Sequence, residues 1–253
     1  MIDVHCHLEQ KNYNKDRDAV IEECRRKMKA LVTCCAHPSD FDLTLKICSK
    51  YNGFVYCAVG LHPEFIKDLK EGEKEKLIEK IIENSCKISA IGEIGLDYHW
   101  IKEEEWREKQ KGMFIEFLEL AKKLDLPVVI HSRDAMQDTL SILEKQGMKG
   151  KKVLLHLFNE KNLLERVLKN SWSISIGPAI LRSKDIRKIA RDCPLGNLML
   201  ETDSPWFGFG KRGTPLNVIK AAEKIAEAKK ISLQEVEKQT DLNAAKFFNL
   251  KIK

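Results

Sequence analysis

The sequence lacks the features that mark membrane and secreted proteins. None of its apolar runs approaches the ~18 residues that a membrane helix needs. The N-terminal segment MIDVHCHLEQ has no basic region followed by an apolar stretch, so we expect neither a membrane span nor a signal peptide. Eight cysteines are present, but no two are spaced as C-x-x-C, and most lie in apolar runs such as LVTCCA and FVYCAVG. They are therefore predicted to be reduced thiols of a cytoplasmic protein.

A strong excess of one charge and low-complexity segments are also missing. The 44 Lys and Arg against 38 Asp and Glu leave a net charge of +6, spread along nearly every segment. This small net positive charge suits a polyanionic partner but does not require one. The hydrophobic fraction of 43% is sufficient for a large core. No linker divides the chain, so we predict a single domain over residues 1–253.

Eight short apolar runs, each followed by an amphipathic helical pattern, dominate the chain. They cover residues 2–6, 30–36, 54–61, 88–96, 127–131, 152–157, 172–176 and 197–201. Most are rich in Val, Ile and Leu without strict alternation, which is typical of parallel strands covered on both faces. Eight such units predict an α/β fold of the (β/α)8 TIM-like barrel type. A doubly wound sheet is the alternative, but no glycine-rich dinucleotide fingerprint follows any strand.

All seven histidines lie at or just beyond the predicted carboxyl ends of strands, the face on which barrel enzymes build their active sites. They are His5, His7, His37, His62, His99, His131 and His156. We interpret His37 and His99 as ordinary hydrogen-bonded imidazoles. Strand alternation predicts that His5 and His7 share a face with Asp3, whereas Val4 and Cys6 point toward the helices.

Two carboxylates occupy the same predicted face. Glu93 lies in AIGEIGLD between Gly92 and Gly95, and Asp203 follows Glu201 in MLETDSPW. Imidazole and carboxylate ligands without a thiolate in register suit Zn²⁺, Mn²⁺, Co²⁺ or Mg²⁺. The sequence thus predicts a divalent metal site at the carboxyl face of the barrel.

An ordered set of motifs extends these observations over nearly the whole chain. The motifs are DVHCHL at Asp3, GLHP at Gly60, GEIGLDY at Gly92, LPVVIHSRDA at Leu126, His156, ETDSPW at Glu201 and NAAKFF at Asn243. With them the chain resembles the TatD-like metal-dependent hydrolases of the amidohydrolase-type barrels. The resemblance implies a deoxyribonuclease or phosphodiesterase with two divalent ions and Glu93 between them. The implied metal ligands are His5, His7, Glu93, His131, His156 and Asp203. The chain departs from the usual pattern after His156 (LFNEKN) and after Trp206 (FGFGKRGTP).

The catalytic residues are predicted to be Glu93 and Asp203, with Asp203 accepting a proton from the attacking water as well as binding an ion. A ligand role alone is the alternative for Asp203. Candidate substrate-binding residues are His62, Arg133, Trp206, Lys211 and Arg212. Trp206, Lys211 and Arg212 belong to the loop after the eighth predicted strand. These aromatic and basic side chains would stack on bases and hold phosphates of a single strand, or the aromatic ring would cover the barrel while the cations are solvated.

DNA, single-stranded or at its 3′ ends, is therefore the expected substrate. Two other functions remain open from the sequence. One is hydrolysis of a C–N or C–O bond in a small molecule at the same metal site, and the other is a catalytically idle barrel that binds a partner.

Overall fold

The computed structural model describes residues 1–252 and contains one eight-stranded parallel sheet. Its strands are β1 (Ile2–Cys6), β2 (Ala30–Cys35), β3 (Val55–Val59), β4 (Ala90–Asp97), β5 (Val128–Arg133), β6 (Val153–Leu155), β7 (Ser173–Ile176) and β8 (Leu198–Leu200). The strands are hydrogen-bonded neighbours in chain order, which excludes a doubly wound sheet. Both ends of every strand lie within two residues of the predicted ends, and the single-domain TIM-like barrel is confirmed.

Helices alternate with the strands and form the outer layer. They are α1 (Arg17–Arg25), α2 (Phe41–Lys50), α3 (Glu73–Glu83), α4 (Glu104–Leu124), α5 (Met136–Lys145), α6 (Leu164–Lys169), α7 (Lys184–Asp192), α8 (Val218–Lys229) and α9 (Leu233–Phe248). The predicted capping box opens α9, where Ser232 and Glu235 exchange side-chain and backbone hydrogen bonds. Within residues 1–252, no helix is both long and apolar enough to cross a membrane.

A compact set of apolar side chains from seven of the eight strands fills the barrel interior. It comprises Ile2, Val4, Ala30, Val32, Cys34, Ala58, Ala90, Val129, Leu154 and Met199. Phe247 and Phe248 of α9 belong to the same cluster and cover the end at which the strands begin. Val129, Leu154 and Met199 are each followed two residues later by another inward-facing position, and these positions are occupied by His131, His156 and Glu201. The candidate metal site thus lies directly next to the interior core, on the same faces of the strands.

The alternation predicted for β1 is wrong before His5, because Ile2 and Val4 both belong to the interior cluster and Asp3 between them does not share the face of His5. Val4 packs in the interior cluster and not toward the helices, whereas Cys6 lies in the outer cluster as predicted. The β1–β2 ladder is irregular between Asp3 and Cys6. An irregularity of this kind changes which residues of a strand face the partner layer, so Val4 and the following His5 both reach the interior side.

A second irregularity occurs in the β4–β5 ladder, between Ile91 and Ile94. Glu93 lies within that interval. Such interruptions are common next to active sites because they redirect a side chain that strict alternation would place elsewhere. Both of these ladder irregularities therefore coincide with predicted metal ligands.

Hydrogen bonds at the mouth join β1 to the segment after β8. The buried carboxylate of Asp3 accepts from the Thr202 amide at 3.0 Å and from the Thr202 hydroxyl at 2.6 Å. The amide of Asp203 donates to the His5 carbonyl at 2.8 Å, and the amide of His7 donates to the Ser204 carbonyl at 2.8 Å. These contacts form a seam between the two ends of the sheet.

Gly95 of β4 lies directly against β5, and we expect Gly95→Ala to be destabilising. The glycine has a φ of +143°, and a Cβ atom there would lie 2.0 Å from the His131 carbonyl oxygen. The strained conformation alone should cost about 1–3 kcal/mol of unfolding free energy. Urea denaturation followed by circular dichroism measures this loss.

The matched control is Gly112→Ala in the middle of α4, where no atom lies within 4 Å of the added methyl group. This change should leave the stability unchanged or raise it by up to ~1 kcal/mol, because alanine is the better helix former. A Gly95→Ala protein with the wild-type urea midpoint would contradict the close approach of the two strands.

Candidate metal centre

Glu93 lies at the centre of the predicted ligand cluster. Its Oε2 atom is 3.3 Å from His5 Nε2 and 3.8 Å from His7 Nε2. Its Oε1 atom is 2.9 Å from both His131 Nδ1 and His156 Nε2. The carboxylate therefore directs one oxygen toward each of two pairs of histidines.

Asp203 joins the side of the cluster that contains β1. Its Oδ1 atom is 3.3 Å from His7 Nε2 and 3.6 Å from His5 Nε2. The backbone at Asp203 is left-handed, with a φ of +54°, which aspartate adopts more readily than most residues. This turn and the seam hydrogen bond to His5 aim the carboxylate back at the histidines.

Three groups of side chains each bring three ligand atoms within 4.8 Å of one another. The groups are His5 with Glu93 and His156; His5 with His7 and Asp203; and His62 with Glu93 and His131. Imidazole nitrogens and carboxylate oxygens at this spacing are the donors that catalytic divalent ions use. The six predicted ligands are thus together, and their donor set fits a divalent metal centre.

The carboxylates of the cluster remain ionised despite their burial. Burial by itself raises the pKa of Glu93, but the electrostatic influence of the surrounding imidazoles, His156 foremost, outweighs it and holds the pKa well below the usual value. For Asp203, burial is likewise outweighed by the hydrogen bond with His7 and the charge of His5, and the pKa is lowered. Two buried anionic groups make this mouth attractive to cations.

The second ring nitrogen of each of the four histidines faces a further side chain. The distances are 3.3 Å for His5 Nδ1 to Cys34 Sγ, 3.2 Å for His7 Nδ1 to Glu9 Oε1, 2.9 Å for His131 Nε2 to Asp97 Oδ2, and 3.4 Å for His156 Nδ1 to Glu201 Oε2. Such partners fix the orientation of a metal-ligating imidazole and raise its basicity.

None of these partner roles was predicted from the sequence. Glu9 and Glu201 each stand two residues from a predicted ligand, so strand alternation offered a signal for them. Asp97 and Cys34 instead approach from a neighbouring strand. Their pairing depends on the register between strands, which has no local signature.

His62 lies beside Glu93, with its Nε2 atom 3.5 Å from Glu93 Oε1. Its Nδ1 atom accepts a hydrogen bond from the Glu64 amide at 3.2 Å. Burial, reinforced by the charge of His131, lowers the pKa of His62 to about 3. The ring is therefore neutral, and the hydrogen bond at Nδ1 assigns its proton to Nε2, which faces the site.

Two other predicted substrate contacts lie at the rim. Trp206 is 49% exposed, and its ring meets His7 edge-on with the ring centres 4.8 Å apart. Arg133 is exposed, and its guanidinium lies 5.5 Å from the centre of the Trp100 ring. The carboxylate next to it, Asp134, pairs with His99 at 3.3 Å and leaves the guanidinium to solvent.

The loop after β8 contains two cations with different surroundings. Lys211 is exposed to solvent. Arg212 donates at 2.7 Å both to the Asn12 carbonyl and to Asp16 Oδ1, and it lies 4.7 Å from the centre of the Tyr13 ring. Arg212 therefore fastens this loop to the segment between β1 and α1. Neither cation belongs to the three ligand groups.

The two histidines interpreted as ordinary imidazoles also lie outside the ligand groups. His37 accepts a hydrogen bond from the Ser39 amide at 3.2 Å, and so begins a short 3₁₀ helix. His99 contacts Asp134 and the ring of Trp100. Both are thus engaged by neighbours on the protein surface.

A (β/α)8 barrel whose strand ends bring histidines and carboxylates together defines a metal-dependent hydrolase. The particular family follows from comparison with known proteins, since the family model described as TatD related DNase matches residues 2–249. This chain belongs to that family, and it is a metal-dependent hydrolase of nuclease type. The resemblance inferred from its motifs is confirmed.

Individual relatives agree with the family assignment. Deoxyribonuclease TATDN3 of Homo sapiens is 36% identical over 262 residues, covering 98% of this chain and 94% of that protein. The uncharacterized metal-dependent hydrolase YabD of Bacillus subtilis is 31% identical, covering 99% of both chains. The crystal structure of YJJV, a TatD homologue from Escherichia coli K12, superimposes with a TM-score of 0.89 at 25% identity, covering 98% of both.

Proposed function

We propose that this chain is a deoxyribonuclease that hydrolyses phosphodiester bonds of single-stranded DNA at or near its 3′ end, using two divalent ions. The proposed ligands are His5, His7, Glu93, His131, His156 and Asp203. The observation that carries the proposal is the position of Glu93, because its two oxygens face separate pairs of histidines. That arrangement favours one ion on each side of the carboxylate. Zn²⁺, Mn²⁺, Co²⁺ and Mg²⁺ all accept such ligands.

When bound, a pair of divalent ions supplies an activated water and neutralises the charge that develops on the phosphate. Asp203 would act as the proton acceptor in the hydrolysis in addition to its ligand role. Its carboxylate has no proton at neutral pH, and its side chain, 14% exposed, is more open than that of Glu93 at 4%. Glu93 would serve both pairs of histidines, one with each carboxylate oxygen.

The residues around the centre have the chemistry to hold a nucleotide. His62 donates from Nε2 to a phosphate oxygen, since its other nitrogen is already occupied by the Glu64 amide. Arg133 presents an exposed guanidinium fork, which matches the geometry of phosphate. Trp206 stacks on a base beside His7. Lys211 and Arg212 contribute positive charge in the same loop as Trp206, and Arg212 is also paired with Asp16.

We further propose that residues 1–253 form this one catalytic domain and that the protein works in the cytoplasm. All eight cysteines are free thiols, and six of them are buried. Free thiols in this number support a reducing compartment.

Purified protein should cleave single-stranded DNA in the presence of at least one of Mg²⁺, Mn²⁺, Co²⁺ or Zn²⁺. Oligonucleotides labelled at the 5′ end should shorten stepwise, because removal from the 3′ end preserves the label on every product. Double-stranded DNA, RNA and bis(p-nitrophenyl) phosphate are the comparison substrates. EDTA should abolish the cleavage, and added metal should restore it.

The result that overturns the proposal is metal-loaded protein that leaves every nucleic acid intact. Hydrolysis of a small C–N or C–O substrate at the same centre would then be the function to pursue. Short 5′-labelled products that form without the successive longer intermediates would instead overturn the 3′-end preference and leave phosphodiester hydrolysis standing.

A further inference from the structure

An exposed tryptophan lies at the mouth on the far side of the metal centre from Trp206. Trp100 follows β4 and is 55% exposed, an unusual state for so large an apolar ring. The loop after β4 and the loop after β8 are four strands apart in either direction around the eight-stranded barrel. The indoles of Trp100 and Trp206 therefore flank the centre from opposite sides.

The loop that carries Trp100 is held in place and tied to the centre. One oxygen of Asp97 accepts hydrogen bonds from the amides of His99 at 2.9 Å and Trp100 at 2.8 Å. The other oxygen of Asp97 accepts from His131 Nε2 at 2.9 Å. A single buried carboxylate thus positions both a proposed metal ligand and the exposed indole.

Two further groups border the Trp100 ring. The Arg133 guanidinium lies 5.5 Å from the ring centre, and the His99 ring meets the indole edge-on at 4.8 Å. Arg133 stands two residues after His131 on β5, so its cation lies at the edge of the metal centre. An aromatic face beside a solvent-exposed cation is the arrangement with which proteins hold single-stranded nucleic acid.

We propose that Trp100, Arg133 and His99 form a second nucleotide subsite, here called the β4 platform. A base of a single strand stacks on Trp100, and Arg133 binds the adjoining phosphate. The strand then crosses the mouth between the β4 platform and Trp206, and the bond over the metal centre is cleaved. This inference rests on the proposed function and adds to it the path of the DNA strand across the barrel mouth.

The β4 platform is tested with the full-length, metal-loaded protein and fluorescein-labelled oligothymidylates of two to ten nucleotides. Phosphorothioate linkages prevent cleavage while binding is measured by fluorescence anisotropy. Trp100→Ala should weaken binding of the longer strands by roughly 5- to 150-fold, the usual effect of losing one stacked base. The dinucleotide should lose little affinity, because it is too short to cover both the centre and the platform.

Two other variants report on the aromatic ring and on the cation of the β4 platform. Trp100→Phe should retain most of the affinity because it keeps an aromatic face. Arg133→Ala should reduce the slope of log affinity against log salt by about 0.7, the value for one phosphate contact to a single strand. In cleavage assays, the kcat/KM of Trp100→Ala for DNA relative to bis(p-nitrophenyl) phosphate should fall by the factor lost in binding, mostly through KM.

Trp106→Ala is the matched control. That indole also has a cation over its ring, Lys109 Nζ at 3.9 Å, but it lines a groove between α3 and α4 in the helical layer. Its removal should not change DNA affinity. Intrinsic fluorescence gives an independent readout, since quenching of tryptophan by bound oligonucleotide should be smaller in Trp100→Phe than in the wild type.

The outcomes separate this inference from the proposed function. Wild-type cleavage of DNA, together with unchanged affinity and length dependence in Trp100→Ala, would overturn the β4 platform and leave the nuclease assignment standing. A wild-type protein that binds DNA through Trp100 without cleaving it would support the platform and overturn the nuclease proposal. Absence of any binding to single strands would overturn both.

Discussion

Glu93→Gln is expected to lower hydrolytic turnover by more than ~100-fold and to reduce the divalent metal content of the purified protein. Loss of a hydrogen-bonding partner behind a metal ligand typically costs 10–100-fold, and a carboxylate that serves both halves of the centre should cost more. The amide keeps the size of the side chain but has no charge and only one oxygen. Both pairs of histidines therefore lose their anionic partner, and one pair faces an NH2 group in place of an oxygen.

The measurement combines metal analysis of protein loaded with Mn²⁺ or Zn²⁺ and initial rates on bis(p-nitrophenyl) phosphate. Glu160→Gln is the control, because it is an exposed carboxylate in the loop that follows His156. Full metal content and wild-type turnover in the Glu93 variant would remove this residue from the centre. A fall from two ions to one would support its position between them.

Asp203→Asn should reduce turnover by about 10²- to 10⁴-fold, the range for loss of a general base. The fold should survive, because asparagine adopts the left-handed backbone of this position as readily as aspartate. The amide oxygen can still contact a cation, but it cannot accept a proton at neutral pH. Turnover measured against increasing metal concentration separates the two roles of the carboxylate.

If Asp203 serves only as a ligand, excess metal should restore much of the rate. If it also takes the proton, turnover should stay low at saturating metal, which is the result we expect. The matched control is Asp125→Asn, another aspartate with a left-handed backbone (φ +52°), at the end of α4 and before β5 begins. Wild-type turnover in the Asp203 variant would contradict both roles.

The fold was predictable because its signals are local. Runs of Val, Ile and Leu and the spacing of apolar residues on helices marked the eight units, and only the ends shifted by one or two residues. The clustering of the candidate ligands was predictable because histidines and acids at strand ends converge in any parallel barrel. His131, for example, lies inside β5, yet its inward position follows from Val129 two residues earlier.

The features that could not be predicted from the sequence depend on contacts between distant parts of the chain. The inward turn of Val4 and His5 arises from a ladder irregularity that alternation cannot anticipate. The partner role of Cys34 depends on the register of β2 against β1, and the pair of Arg212 with Asp16 joins residues 196 positions apart. Loop conformations decide whether a cation such as Arg133 or Arg212 faces solvent or a carboxylate.

The seam between Asp3 and Thr202 has a consequence for how the enzyme is made in the cell. The ribosome delivers His5 and His7 at the start of translation, but Asp203 follows 198 residues after His5, about 10–40 s later at ordinary rates of synthesis. Until the last strand docks, the nascent chain has neither the Asp203 carboxylate nor the hydrogen bonds that aim it at His5. A polypeptide released before this point lacks Asp203 and the seam, so it cannot assemble the complete cluster of histidines and carboxylates.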